Sequence, residues 1–318
     1  MSMVQKGKEM IKEIAKVELP FDETLTIKKH RLQPETVSGK EKRISIVTGI
    51  HGDELEGQYV CYELSRRIHA ERDMLTGIVD IYPAMNPLGV DSITRGIPMF
   101  DLDMNRIFPG NKEGSMAEYV AAEAVSDLAG SDLCIDIHAS NIYLKELTQV
   151  RISEMTAKEL VPIARRLNVD YIWVHQAATV LESTLAHSLN SIGTKTLVVE
   201  MGVGMRITKE IGNQLVDGIL VVMKDLGIWN GEVITPRTPI ESEDGNVHFL
   251  NAAASGMFLP ATAHCKEVKN GELVGEIVDP LSGKVLQKVY SPCDGLVFTL
   301  REFPVVYEGS LVGRILAR

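Results

Sequence analysis

Residues 44–58 read ISIVTGIHGDELEGQ, and the fold follows from how they divide. The first half is a short β-branched apolar run, and the second breaks at glycine and supplies His51, Asp53, Glu54 and Glu56. A buried strand that ends on polar side chains is what an open α/β sheet uses at its carboxyl edge, where such sheets hold their ligands. Similar runs recur at residues 78–82, 133–137, 171–174 and 196–199. Between them, residues 56–69, 115–129, 157–167 and 209–226 carry apolar side chains at helical spacing. This alternation predicts an α/β domain, a mostly parallel, mixed sheet flanked by helices.

Beyond Asn230 the texture changes. Helical periodicity stops and turn pairs recur at Asn270–Gly271, Ser282–Gly283 and Asp294–Gly295, as expected of a small all-β domain. The segments KNGELVGEI and YEGSLVGRI echo one another and suggest two halves of a pseudo-symmetric sandwich. The expected division is 1–234, with a short N-terminal extension over 1–40, and 235–318.

The 318 residues are 45% hydrophobic and 24% charged, enough for a large core and a smaller one. A formal net charge of −10 without a basic cluster argues against nucleic acid and anionic membrane as partners. Lysines interrupt the N-terminal MSMVQKGKEMIKEIAKVELPFDE before any leader-like apolar run forms, so a cytoplasmic protein is expected. The four cysteines are widely spaced, with neither a CxxC pair nor a zinc-ribbon pattern, and read as free thiols in a reducing compartment.

His51 and Glu54 lie three residues apart, and on one helical turn that spacing puts both side chains on the same face. Imidazole and carboxylate are ordinary zinc ligands, but an HxxE pair is equally a surface helix pair, and alone it leaves both readings open. A second imidazole comes from LCIDIH, which carries His138 to the end of its own strand, with Asp136 two residues earlier as a partner for the ring. The run TKTLVVEMG is apolar until Glu200, and a carboxylate at the end of a buried strand needs a cation, a cap or a metal-held water as partner. It is therefore a candidate general base. The loop after residue 86 adds Arg95, Asn105 and Arg106, which suit oxyanion stabilisation and carboxylate binding, or simple ion pairing with Asp91, Asp101 or Asp103.

Taken together, GIHGDELEG, NPLGVDSITRG, DLDMNRIFPG, CIDIHAS and VVEMG, in that order, resemble the succinylglutamate desuccinylase and aspartoacylase family, relatives of the zinc carboxypeptidases. The resemblance implies one zinc ion on His51, Glu54 and His138, Glu200 as the base, Arg95 as oxyanion stabiliser, and Asn105 and Arg106 as binders of a substrate carboxylate. It also implies that the C-terminal domain is similar to the barrel-sandwich modules of biotinyl and lipoyl carriers. The sole hairpin-tip lysine, Lys284 in LSGKVLQ, lacks the usual methionine neighbour, so a structural role as lid or oligomer surface is expected. A departure falls at Asn190, where aspartoacylase-like members carry a further substrate-binding arginine; a second acidic group on the substrate would lack its partner there. The expected activity is deacylation of a small N-acylated amino acid. The alternatives are a metallocarboxypeptidase acting on short peptides and a non-catalytic metal- or ligand-binding homologue. A homo-oligomer is compatible with all three.

Overall fold

The computed structural model describes residues 10–176 and 182–318; the first nine residues, part of the segment read for a leader, lie outside it. The chain opens with an antiparallel hairpin, β1 (Met10–Glu18) and β2 (Thr24–Leu32), followed by β3 (Arg43–Val47), α1 (Glu56–Ala70), β4 (Ile78–Tyr82) and the short α2 (Pro87–Ser92). Then come α3 (Met116–Leu128), β5 (Leu133–Ala139), β6 (Leu144–Ser153), α4 (Ala157–Ala164), β7 (Tyr171–His175), α5 (Leu185–Ser191), β8 (Thr196–Gly202) and α6 (Lys209–Asp225). The remainder is strand: β9 (Ile240–Glu243), β10 (Val247–Asn251), β11 (Gly256–Pro260), β12 (Glu267–Val268), β13 (Leu273–Asp279), β14 (Lys284–Tyr290), β15 (Gly295–Arg301), β16 (Val305–Val306) and β17 (Leu311–Ala317).

The strands β4-β3-β5-β8 run parallel, and β2 and β6 flank them antiparallel, so the sheet is mixed. Period-two alternation assigns its two faces. Ile135, Ile137, Leu197 and Val199 point to the core shared with α1, α4 and α6. Val47, Tyr82 and Cys134 point the other way, to a second core closed by α3 and α5. The N-terminal hairpin, expected as a mere extension, pairs β2 with β4 and packs Ala15 and Ile27 into that second core.

That same face carries a buried ionic cluster. Lys29 is 2% exposed and lies 3.1 Å from Asp80 and 2.6 Å from Asp127, while Arg31 takes Asp80 with two nitrogens at 2.7 and 2.5 Å. Arg43 stands 3.6 Å from Asp80, and the Tyr82 hydroxyl donates to Asp127 at 2.6 Å. Burial pushes the Asp80 carboxyl upward, but Arg31 and Lys29 outweigh it and hold the group below its ordinary range.

At β6 the sheet branches. One edge of β6 pairs with β8; on the other, Leu144 to Glu146 bond β15 and Gln149 to Ser153 bond β7. Hydrogen bonding therefore crosses the expected boundary at residue 234, through β15 and also through β9, which pairs with β7. A four-stranded sheet, β14-β13-β11-β16, packs over this C-terminal part. The two echoing segments supply Val274 and Ile277 from β13 and Val312 and Ile315 from β17 to one small core, facing each other from different sheets. Among the described residues, no helix is long and apolar enough to cross a membrane.

Candidate metal centre

His51 lies four residues past the end of β3, in a turn and not on a helix: Glu54 N donates to the His51 carbonyl at 3.4 Å, and α1 begins only at Glu56. The three-residue spacing thus brings the two side chains together by a tight turn, which corrects the expected helical register. Gly52 is required there because a Cβ would stand 1.9 Å from the Gly89 carbonyl carbon in α2. Asn86 caps α2 by accepting from Gly89 N at 2.9 Å and donates to the Gly96 carbonyl at 3.0 Å, which fixes the loop that carries Arg95.

Three buried side chains meet at this edge. Glu54 Oε1 is 2.7 Å from His51 Nδ1, Glu54 Oε2 is 3.0 Å from His138 Nδ1, and the two Nδ1 atoms are 3.3 Å apart. One donor atom from each of the three lies within 4.8 Å of the others. Behind each ring stands a carboxylate: Asp103 Oδ1 is 3.0 Å from His51 Nε2, and Asp136 Oδ2 is 3.2 Å from His138 Nε2. The Asp136 contact lacks hydrogen-bond geometry, leaving both its oxygens and His138 Nε2 buried without a hydrogen bond among the described residues. Two imidazoles presenting Nδ1, each backed by an acid, with a carboxylate between them, fit a divalent transition metal, because a backing acid fixes the tautomer and raises ligand basicity.

Within the cluster, the three groups hold one another's charges. Burial works against charge on Glu54, yet hydrogen bonds from His138 and His51 outweigh it and pull the carboxyl down to about 2. For His138, burial opposes the charged ring, and Asp136 with Glu54 lifts its pKa well above the usual value. His51 is raised in the same sense by Asp103 and Glu54.

Glu200 sits beside His138 in the parallel register of β5 and β8, so the two side chains share a face one strand spacing apart. Its partner is Arg151 of β6, with Nη1 3.3 Å from Oε1. Burial is the main influence on the Glu200 carboxyl and pushes its pKa above the ordinary value, against the pull of Arg151 and His138.

Arg95 reaches the centre from its loop, donating to Glu54 at 3.0 Å and to Asp103 at 3.3 Å. Asn105 accepts from Leu185 N at 3.0 Å through Oδ1, and exposed Arg106 donates to the Asn105 carbonyl at 2.8 Å. The Asn105 backbone N–H also donates to Asp103 Oδ1 at 2.8 Å, which ties it to the acid behind His51. Asn190 spends both ends of its amide on Thr196, accepting from N at 2.9 Å and donating to O at 3.1 Å, and so closes the start of β8. His264 bonds the Phe298 carbonyl at 3.0 Å, and Tyr307 is exposed.

Sequence reasoning missed Asp103 as the acid behind His51, and it missed Arg151 and Glu146 altogether. No regular alternation marked the last two in LKELTQVRIS, because a register shift between Glu146 and Gln149 brings Glu146 onto the face of Gln149 and Arg151 while Val150 and Ile152 turn to the core.

A profile of the succinylglutamate desuccinylase/aspartoacylase catalytic domain matches residues 40–226. The N-alpha-acetyl-L-2,4-diaminobutyric acid deacetylase of Halomonas elongata is 25% identical over 267 residues, covering 80% of this chain and 76% of that protein. A succinylglutamate desuccinylase/aspartoacylase from Rhodobacter sphaeroides superposes with a TM-score of 0.80 at 23% identity, covering 99% of this chain and 96% of its own. The product-bound ectoine utilization protein EutE (DoeB) of Ruegeria pomeroyi gives a TM-score of 0.83 at 19% identity, covering 100% and 98%. At such identities these structures speak for the shared fold, while the profile spans more than half of the chain. The protein is a member of the succinylglutamate desuccinylase/aspartoacylase family of deacylases.

Proposed function

We propose that the protein is a zinc-dependent deacylase that hydrolyses the amide bond of a small N-acylated amino acid. The observation that carries this reading is the convergence of His51 Nδ1, His138 Nδ1 and the Glu54 carboxylate, with Asp103 and Asp136 behind the rings. These three side chains would hold the ion. When bound there, zinc supplies Lewis acidity, polarising the scissile carbonyl and bringing the pKa of water to roughly 7.

The chain's own groups divide the remaining work. Glu200 accepts the proton of the attacking water and returns it to the leaving nitrogen, a task suited to a carboxyl whose pKa burial has lifted. Arg95 spends two of its five N–H donors on Glu54 and Asp103 and keeps the rest for the developing oxyanion. Asn105, through its amide NH2, and solvent-facing Arg106 bind the substrate carboxylate. Asn190, committed to the β8 backbone, offers nothing to a second acidic group. The curated relative deacetylates an Nα-acetylated diamino acid, which favours an amino acid carrying a single carboxylate as substrate.

Glu200→Gln tests the reading: zinc content should stay at the wild-type level while turnover of N-acyl amino acids falls by about 10²- to 10⁴-fold, the usual worth of a general base. Full activity in that variant overturns the assignment. A substrate panel tests the reaction class, since release of C-terminal residues from short peptides with N-acyl amino acids untouched would make the protein a carboxypeptidase.

A further inference from the structure

The carboxylate of Glu146 lies where the sheet branches, 3% exposed, and its contacts join β6 to β15 and β17. Oε1 accepts from Arg314 of β17 at 2.7 Å and from Arg151 at 3.2 Å; Oε2 accepts from Gln149 at 2.6 Å and from Thr299 of β15 at 2.8 Å. Arg151 divides its guanidinium, Nη2 on Glu146 and Nη1 on Glu200. Both guanidinium groups also lie over the Trp173 ring, 5.5 and 5.8 Å from its centroid, and that ring is pinned by Nε1 donating to Asp244 at 2.8 Å. The result is an unbroken series of alternating charges, Arg314, Glu146, Arg151, Glu200, beginning on the last strand of the chain and ending one strand from His138.

The division of Arg151 matters chemically. An arginine left alone with one carboxylate settles into two-nitrogen pairing, which occupies the lone pairs a base needs. Glu146 claims one nitrogen and leaves Glu200 held through the other. We propose that Arg151, Glu146 and Arg314 are positioning residues for Glu200, so that the C-terminal strands take part in proton transfer without touching substrate. This rests on Glu200 being the base.

The experiment compares kcat, KM and zinc content of the holoenzyme across variants. Arg151→Met should lower kcat by about 10- to 100-fold, with KM and zinc content close to wild type, and Arg151→Lys should recover most of the loss. Arg314→Met should lower kcat by about 10-fold, and the Arg151→Met/Arg314→Met double variant should be no slower than Arg151→Met alone, because residues acting as one unit are not additive. Should Arg314→Met fail to fold, Thr299→Val carries the same test with a smaller drop in kcat. Denaturant unfolding of the metal-free single and double variants reads the coupling without turnover, and non-additive midpoints are expected.

A loss confined to KM would make Arg151 a substrate ligand, and additive or absent effects would remove the link to the C-terminal strands; either outcome overturns the proposal. An active Glu200→Gln would instead sink the base assignment beneath it. With Glu200→Gln inactive, an unaffected Arg151→Met sinks only the positioning role.

Discussion

Two buried polar clusters occupy the same face of the same sheet, and they are built to opposite ends. Asp80 and Asp127 meet Lys29, Arg31 and Arg43, so each acid has a permanent cation beside it. Two strands away, Glu54, Asp103 and Asp136 face Arg95 and two imidazoles, and among the described residues neither carboxylate oxygen of Asp136 has a hydrogen bond. The first cluster is complete in itself and fastens the N-terminal hairpin to the sheet. The second gathers two imidazoles and a carboxylate whose donor atoms lie within 4.8 Å of one another, the arrangement a divalent ion completes. Acid content alone therefore says little about chemistry; whether the acids face lysine and arginine or imidazole separates a fastening from a site.

The sharpest way to break this contrast is to remove one imidazole. His138→Ala should abolish zinc retention and cut hydrolysis by about 10³-fold or more, given that even one oxyanion donor is worth 10²–10³; zinc analysis and steady-state kinetics check it. Asp80→Ala should act in the reverse sense, costing about 3 to 5 kcal/mol of stability by leaving buried cations unpaired, with kcat of the folded fraction unchanged. The same group sets an acid limit. Its carboxyl is depressed in the fold, so its contribution is complete above the unfolded value near pH ~3.9 and fades as pH falls through the lower folded value. Unfolding followed by circular dichroism should show this dependence reduced in Asp80→Asn.

Smaller changes sharpen the comparison. Asp103→Asn keeps the shape behind His51 but weakens the pull on its ring, and zinc competition titration should show a loss of about 10- to 100-fold in affinity. The least effect is expected from Ser115→Ala. Ser115 forms a capping box with Glu118 at the start of α3, the helix that carries Asp127, and losing the cap should cost about 1 kcal/mol in denaturant unfolding without altering zinc affinity.

Much of this was legible in the sequence where a strand is buried on both faces. The run at 78–82 coincides with β4, and those at 133–137 and 196–199 differ from β5 and β8 only at their ends. Such runs are legible because cores on both sides demand apolar residues throughout. What escaped is informative for the same reason. MIKEIAKVE in β1 has one open face, and its apolar residues sit at spacings a helix also allows. LKELTQVRIS in β6 turns Glu146, Gln149 and Arg151 toward the site, so function disguised a strand as a charged surface segment. Site residues borne on motifs, His51, Glu54, His138 and Arg95, come together, whereas Asp103 and Arg151 depend on distances that no local pattern encodes.

The branch at β6 has a practical consequence for anyone dissecting the chain. Cutting after residue 234 would strip β15 from the first half of β6 and β9 from β7, baring two rows of backbone donors and acceptors. Exposed edges of that kind recruit other chains. An isolated N-terminal fragment should therefore be recovered as aggregate, and mixing it with separately expressed residues 235–318 is the route by which its solubility would return.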